Sequence, residues 1–119
     1  MIKTHFPNSW QDKLENLGFS ELTSIQEELF EPISSGKSVL GISPTGTGKT
    51  LAYLFPCLLK LTPKKAQQLL ILAPNTELAG QIFEVCKSWA DSLGLNSQLF
   101  ISGSSQKRQI ERLKKEIGR

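Results

Sequence analysis

A glycine-rich stretch near the middle of the chain has the residue types of a phosphate-binding loop. Residues 43–50 read SPTGTGKT and lie between an apolar run at 39–42 and an apolar, helix-like pattern at 51–55. A buried strand, a glycine-rich loop and a helix, in that order, are the context in which G-x-x-x-x-G-K-[ST] indicates a P-loop. Ser43 takes the place of the first glycine, which we interpret as a small-residue variant. The alternative is a glycine-rich turn that carries a lysine and a threonine by coincidence.

The chemistry expected from this loop is largely that of its backbone. Gly46 and Gly48 allow the chain to curl, so that consecutive N–H groups point into one concavity that holds an anion. The following helix adds the unpaired N–H groups of its first turn. We expect Lys49, the candidate catalytic residue, to bind the β- and γ-phosphates, and the Thr50 hydroxyl to ligate Mg²⁺. The predicted nucleotide contacts of the loop are Thr45, Gly46, Thr47, Gly48, Lys49 and Thr50.

Composition places the chain among ordinary globular proteins. Its 119 residues are 39% hydrophobic and 21% charged, with a net charge of +3, enough for one domain or for a piece of a larger protein. No apolar run reaches membrane-spanning length and the N-terminus lacks a signal sequence, so we expect a cytoplasmic protein without a membrane partner. Cys57 and Cys86 lack metal-ligand spacing and are expected to be reduced and buried.

Positive charge collects at the end of the sequence. Residues 107–119 hold six Lys or Arg and two Glu. A basic helix of this kind suits a phosphate-bearing partner. The alternative, which we favour for most of these residues, is a charged helix face that is simply exposed to water.

The apolar pattern predicts two N-terminal helices followed by alternating strands and helices. The first helix spans 7–17 and ends at Gly18, and the second opens with the capping-box pattern of Thr23 and Gln26, with a further turn starting at Pro32. Strands are expected at 39–42, 69–73 and 98–101, the second of them buried on both faces, each followed by a helix. The inward positions expected in the last two helices are Leu78, Ile82, Val85, Trp89, Ile110, Leu113 and Ile117.

This alternation predicts an α/β fold with an open parallel sheet and right-handed crossovers. In such sheets, ligands bind at the carboxyl ends of the strands. The loops there are 43–48, 74–76 and 102–105, all small, polar and rich in Gly, Pro or Ser. We therefore expect a nucleotide beside a second polyanionic ligand.

Three ordered motifs make the chain resemble the N-terminal part of a DEAD-box RNA helicase. Residues 18–26, GFSELTSIQ, resemble the Q motif with Leu22 in place of its usual proline. Residues 43–50 resemble motif I, and residues 74–79, PNTELA, resemble motif Ia. Gly103 and Ser104 stand where the family carries a Gly-Gly pair. The resemblance implies a RecA-like P-loop NTPase fold that uses ATP and Mg²⁺ and acts on RNA.

The resemblance also implies roles for single residues. Gln26 would hydrogen-bond adenine, while capping of Thr23 is its structural alternative, and both can hold. In the family an upstream aromatic stacks on adenine, for which Phe6 and Trp10 are the candidates.

Motif Ia in the family contacts RNA. Pro74, Asn75, Thr76 and Gly103 are accordingly the candidate RNA-binding residues. Thr76 replaces the family's arginine, so weaker phosphate affinity is expected. The alternative for Asn75 and Thr76 is helix N-capping, and for Gly103 an ordinary turn.

The family's acidic motif is missing. No Asp-Glu-Ala-Asp or following Ser-Ala-Thr occurs in the sequence, nor the second helicase domain whose arginines complete the ATP site. We expect residues 1–37 to form helices with the Q motif and residues 38–119 to form the first half of a RecA-like domain within a longer helicase.

Such a piece should bind nucleotide without turning it over. Its unpaired strand edges should favour self-association. The alternative function is a non-catalytic nucleotide- or RNA-binding module, and a P-loop kinase or GTPase is weaker because it would leave Gln26 without a task.

Overall fold

The computed structural model describes residues 6–46, 48–65, 68–102 and 106–117, the last of these with side chains to residue 112. The chain divides into two compact units, Met1–Lys60 and Leu61–Arg119. The helices of the described residues are α1 (Asn8–Asn16), α2 (Ser24–Ser34), α3 (Lys49–Leu59), α4 (Thr76–Ala90) and α5 (Gln106–Ile117), with a 3₁₀ turn at Asp91–Leu93.

The first unit is held by an aromatic cluster beneath α1. The Phe6 and Trp10 rings meet edge to face at 5.3 Å, and both contact Phe55 of α3, at 5.0 and 5.3 Å. Phe30 of α2 lies 5.9 Å from Phe6. Aromatic pairs at these distances contribute about 0.5–1.5 kcal/mol each beyond their buried area. The cluster therefore ties α1, α2 and α3 into one core.

The α2 helix runs further than the sequence indicates. It continues from Ser24 to Ser34 with Pro32 inside it, so the separate turn expected at Pro32 is wrong. Proline inside a helix costs one backbone hydrogen bond and a steric contact. Here that loss falls in the last turn, and α2 packs along α3, where Lys60 Nζ also donates to the carbonyl oxygen of Ile33 at 3.4 Å. Tertiary packing outweighs the local preference.

The predicted strands are where the described structure departs most from expectation. Residues 37–44, 68–73 and 95–101 have no helix, turn or strand assignment, and no β-ladder is present in the described part of the chain. The strands and their sheet stay predictions, whereas the expected burial of 69–73 on both faces is wrong. The most exposed apolar side chains of the first two segments are Leu40 at 85%, Ile42 at 82%, Leu70 at 80% and Leu72 at 84%.

One face of the segment at residues 37–44 is nevertheless covered. A side chain at Gly41 would meet Leu29 Cδ1 at 2.9 Å and Ile25 Cδ1 at 3.7 Å, so the backbone lies directly on α2. Leu40 and Ile42, on either side, point to solvent. The period-2 alternation of a strand is thus present, although no β-ladder pairs its N–H and C=O groups in the described part of the chain.

The second unit is organised around the end of α4. Trp89, Ala90 and Leu95 are its buried apolar residues, and Leu95 N–H donates to the Ala90 carbonyl oxygen at 3.2 Å. The α4 helix spans Thr76–Ala90, and Leu78, the first of its expected inward positions, is 36% exposed.

The α5 helix presents a different face to its unit than the pattern predicts. Ile110 is 44% exposed, so the expectation that it faces inward is wrong, and the neighbouring Gln109 is buried instead. Leu113 and Ile117 lie beyond the last side chain that the structure describes. Gln109 is held inward by a polar contact, since its amide binds the backbone of Ile101.

Both cysteines are free, as expected, but each is half-buried rather than buried. Burial raises the pKa of the Cys57 thiol. Burial also raises the pKa of the Cys86 thiol, although the contact of this thiol with the Ser97 hydroxyl at 3.9 Å acts to lower it. No helix among the described residues is long and apolar enough to cross a membrane.

Candidate nucleotide and RNA site

The P-loop backbone has the conformation that its glycines permit. Gly46 and Gly48 have φ angles of +85° and +80°, in the left-handed region that side chains rarely adopt. Gly48 is the N-cap of α3, and its carbonyl oxygen accepts the first helical hydrogen bond, from Ala52 N–H at 3.1 Å. The next residues of α3 therefore open the helix with N–H groups that have no acceptor within it. Thr47 lies outside the described residues.

Two polar side chains of the loop, those of Lys49 and Thr50, open the α3 helix and are at least partly exposed. Lys49, the first residue of α3, is exposed, and Thr50 is half-buried. A cation and a hydroxyl group in the first turn of a helix suit a bound phosphate and its magnesium ion. In the described part of the chain, no group of three or more His, Cys, Asp or Glu forms a metal site of its own. The residues present fit Mg²⁺ held between Thr50 and phosphate oxygens.

Gln26 is a buried amide that joins the Q motif to the P-loop. Its side chain is 7% exposed. Oε1 accepts from Thr23 N–H at 3.0 Å, and the backbone N–H of Gln26 donates to Thr23 Oγ1 at 3.4 Å, which completes the capping box. Nε2 donates to the carbonyl oxygen of Gly48 at 3.2 Å. Sequence reasoning found the cap but missed this third bond, since nothing in the local pattern signals a contact across 22 residues.

Gly48 is packed against that amide. A Cβ added at Gly48 would collide with Gln26 Nε2 and lie 3.7 Å from Thr23 Oγ1. Two features therefore favour glycine at position 48: the positive φ angle of the backbone and the close approach of the Gln26 side chain. By contrast, a Cβ at Gly46 would meet no atom within 4 Å.

The two upstream aromatics are not accessible to a ligand. Phe6 is 3% exposed and Trp10 is 0% exposed, because both are built into the aromatic cluster. Phe19, inside the Q motif, is 48% exposed. It borders a cleft of about 350 Å³ whose other lining residues are Gln11, Glu15, Gly18 and Ser20. A partly exposed aromatic is therefore present within the Q motif itself, and not at the two upstream positions that the sequence suggested.

The motif Ia loop serves first as a helix cap. Asn75 Oδ1 accepts from Leu78 N–H at 2.8 Å, which makes Asn75 the N-cap of α4. Pro74, Asn75 and Thr76 are all exposed, so each remains open to a partner. The capping alternative is thus correct for Asn75, whose amide nitrogen stays available as a donor. Gly103 lies outside the described residues.

Residues 23–118 match the family model described as DEAD/DEAH box helicase. This chain belongs to the DEAD/DEAH box helicase family. The match begins at Thr23, the N-cap of α2, and so includes Gln26, the P-loop and motif Ia. The resemblance inferred from the motifs is confirmed.

Curated relatives of this DEAD-box chain are ATP-dependent RNA helicases. The chain is 44% identical over 106 residues to DEAD-box ATP-dependent RNA helicase CshC of Bacillus cereus, covering 88% of this chain and 27% of the relative. It is 43% identical over 106 residues to the probable ATP-dependent RNA helicase YfmL of Bacillus subtilis, covering 88% and 28%. HAS1 of Saccharomyces cerevisiae is 33% identical, with 87% and 22% covered. The helicase chain thus spans about a quarter of the length of these relatives.

A solved helicase shares the fold. The RNA helicase Prp28 from Chaetomium thermophilum, crystallised with ADP, aligns with a TM-score of 0.76 and 31% identity, covering 92% of this chain and 28% of that one. The neighbour is a helicase with a RecA-like domain, which supports the predicted fold class at that level. The parallel sheet itself stays a prediction.

Proposed function

We propose that this chain is the ATP-binding portion of an ATP-dependent RNA helicase that remodels or unwinds RNA. The observation that carries the proposal is the hydrogen bond from Gln26 Nε2 to the Gly48 carbonyl oxygen. It connects the motif that would recognise the base with the loop that would hold the phosphates. A P-loop kinase or GTPase gives no reason for that connection.

The triphosphate would lie at the start of α3. The backbone N–H groups from Thr45 to Thr50 would surround it, Lys49 would neutralise the β- and γ-phosphates, and Thr50 would hold Mg²⁺. Bound Mg²⁺ would offset phosphate charge and orient the terminal phosphoryl group. The left-handed backbone at Gly46 and Gly48 supports this role, because it is what a nest of N–H groups requires.

Adenine would be recognised by Gln26 and Phe19. A primary amide has two acceptor lone pairs and two donor hydrogens. The bonds to Thr23 N–H and to Gly48 occupy one of each, which leaves one acceptor and one donor for a base that offers the complementary pair. The exposed ring of Phe19 would stack on the base, replacing Phe6 and Trp10 in that role.

RNA would contact the second unit through the motif Ia loop and Gly103. Asn75 would offer its amide nitrogen while its oxygen caps α4, and Pro74 and Thr76 flank it on the exposed surface. With threonine at position 76 the loop has no guanidinium, so its phosphate contacts would be uncharged and weak.

We expect residues 1–119 to bind ATP without hydrolysing it. Hydrolysis by P-loop enzymes also needs a carboxylate that holds the metal and water, and a cation supplied to the transition state. The acidic motif does not occur in these residues. In the whole helicase, a second helicase domain would supply the cation in trans, and the cytoplasm is the proposed compartment.

The test compares fluorescent ATP and GTP analogues on the wild type, Gln26→Ala and Lys49→Ala. The wild type should prefer the adenine analogue, Gln26→Ala should bind both alike, and Lys49→Ala should lose both by about tenfold or more. Lys37→Ala, which removes an exposed lysine of the same unit, is the matched control and should bind as the wild type does. An unchanged base preference in Gln26→Ala would contradict the adenine role.

The second candidate is a binding module that never turns over nucleotide, which absence of the acidic motif from the complete gene product would favour. ATP hydrolysis stimulated by RNA, measured on the complete gene product that contains this chain, separates the two. Stimulated turnover supports the helicase, and nucleotide binding without turnover supports the module. Measurable turnover by residues 1–119 alone would contradict the expectation that other segments are needed.

A further inference from the structure

Glu15, in the last turn of α1, carries an exposed carboxylate close to the ring of Phe19. In the part of the chain that the structure describes, this carboxylate makes no hydrogen bond or ion pair. Glu15 and Phe19 line one cleft of about 350 Å³ together with Gln11, Gly18 and Ser20. A hydrogen-bond acceptor without a partner and a ring that is 48% exposed therefore border the same space.

The end of α1 holds these two residues next to each other. Phe19 N–H donates to the Leu14 carbonyl oxygen at 2.9 Å, and Gly18 N–H donates to the Glu15 carbonyl oxygen at 3.0 Å. Gly18 has a φ angle of +79°. Two such bonds around a left-handed glycine form a Schellman motif, which folds the following residue back onto the last turn of its helix. The backbones of Glu15 and Phe19 are thus fixed in one hydrogen-bonded turn.

The chemistry of the cleft restricts what it can hold. Its volume lies at the lower end of the range for small-molecule sites, about 300–1,000 Å³. An exposed aromatic ring suits a flat ring that stacks on it. An ionised carboxylate only accepts hydrogen bonds, so a bound ring needs a donor at its edge. Adenine has an exocyclic amine where guanine has a carbonyl oxygen, and a carboxylate attracts the amine and repels the oxygen.

We propose that Glu15 is a specificity-determining residue for the base of the nucleotide, because its carboxylate accepts a hydrogen bond from the exocyclic amine of adenine while Phe19 stacks on the ring. The inference rests on the proposed function, in which Phe19 stacks on adenine. The amine has two hydrogens, so Glu15 and Gln26 can each accept one. Glu15 adds the exclusion of guanine, whose carbonyl oxygen would lie against a negative charge.

The experiment uses two probes that differ only in the amine, ATP and the triphosphate of purine riboside, in which hydrogen replaces it. Affinity for each probe is measured on the wild type, Glu15→Ala and Asp12→Ala. Asp12 is an exposed carboxylate of the same helix that does not line the cleft, so its variant controls for the loss of one negative charge. We expect Glu15→Ala to bind ATP about tenfold more weakly than Asp12→Ala does, and both variants to bind the purine probe within about twofold of each other.

Glu15→Gln tests the exclusion of guanine. Its amide has the length of the carboxylate but can also donate, so it can bond the guanine carbonyl oxygen. GTP should bind Glu15→Gln about tenfold more tightly than the wild type, whereas Asp12→Asn, which loses the same charge, should bind GTP within about twofold of the wild type. An equal gain in both variants would mean that charge alone matters, which would contradict a contact with the base.

The outcomes separate this inference from the proposed function. A wild type that binds neither probe would overturn the proposed function and the role of Glu15 with it. A wild type that binds ATP and loses it in Lys49→Ala, with a Glu15→Ala variant that binds ATP as Asp12→Ala does, would overturn the role of Glu15 alone. Equal weakening of both probes in Glu15→Ala would also overturn that role, because a contact with the amine cannot act on a base that lacks one.

Discussion

The side-chain amide of Gln26 donates to the carbonyl oxygen of Gly48 at 3.2 Å while its own oxygen accepts from Thr23 N–H at 3.0 Å. One buried side chain thus holds the start of α2 and the start of α3 together. The P-loop backbone is positioned by this contact as well as by its glycines. A ligand that engages Gln26 is therefore directly coupled to the loop that would bind its phosphates.

The two halves of this contact can be separated by mutation. Thr23→Ala removes the α2 cap and should cost about 1 kcal/mol of stability, with base preference retained because Gln26 still reaches Gly48. Gln26→Ala should cost a similar amount and in addition lose adenine preference. Chemical denaturation and nucleotide titration of both variants provide the comparison. Equal loss of base preference in both would show that capping, not recognition, is the role of Gln26.

Gly48 should be intolerant of any side chain for a reason that Gly36 does not share. Both have positive φ, +80° and +85°, so alanine at either position carries backbone strain of about 1 kcal/mol. Only at Gly48 would the added Cβ meet the Gln26 amide, whereas nothing lies within 4 Å of it at Gly36. Gly48→Ala should therefore be the less stable variant and lose nucleotide binding. Gly36→Ala should bind nucleotide normally, and a defect there would point to strain alone.

The double role of Asn75 can be tested with aspartate. Asn75→Asp keeps an oxygen to accept from Leu78 N–H, so the thermal stability of the unit should change little. It removes the amide donor and adds a negative charge, so affinity for single-stranded RNA should fall about tenfold at low salt. Circular dichroism melts and RNA titrations measure the two effects. Unchanged RNA affinity would leave Asn75 with its capping role only.

Restoring the family's arginine should strengthen RNA binding. Thr76→Arg adds a cation to an exposed position beside the α4 N-cap. For single-stranded RNA, each additional phosphate contact steepens the dependence of log affinity on log salt by about 0.7. Titrations at several salt concentrations should show tighter binding with that added slope. Tighter binding without a steeper slope would mean that the arginine does not contact a phosphate.

Exposed apolar side chains should make the isolated chain associate. Leu40, Ile42, Leu70 and Leu72 are each at least 80% exposed, in segments with the alternation of strands. Sedimentation velocity should show larger species as protein concentration rises. Replacing Leu70 and Leu72 by serine should shift the chain towards monomer, whereas Leu17→Ser, at a single 52% exposed site, should not. A monomeric wild type with a fully cooperative melt would refute the association.

Local sequence was sufficient for the elements whose bonds span a few residues. The α2 capping box, the end of α1 shortly before Gly18, the α4 N-cap and the left-handed glycines of residues 43–50 all depend on neighbours within four positions or on the missing Cβ of glycine. Spacing and residue type therefore specify them. The same holds for the ordered motifs, which were enough to indicate the helicase family.

Burial was harder to predict, because apolar periodicity says which residues can be covered and not what covers them. Residues 69–73 read as a strand buried on both faces, yet Leu70 and Leu72 are exposed among the described residues. Ile110 is exposed and its neighbour Gln109 is buried, because the Gln109 amide hydrogen-bonds the backbone of Ile101. Similarly, the sequence makes Phe6 and Trp10 candidates for stacking on a base, but both pack against the Phe55 ring and are buried.

The sequence by itself determined the family, the left-handed glycines Gly46 and Gly48 and the helix caps, since each is encoded by residues close together in the chain. Only the tertiary structure decided that the Gln26 amide contacts Gly48, that Phe19 is the open aromatic of the Q motif, and that Gln109 holds Ile101. The two amide contacts join residues that are 22 and 8 positions apart in the chain. The exposure of Phe19 depends on which side chains pack against its ring. No local pattern records such distances, because they exist only once the helices have packed.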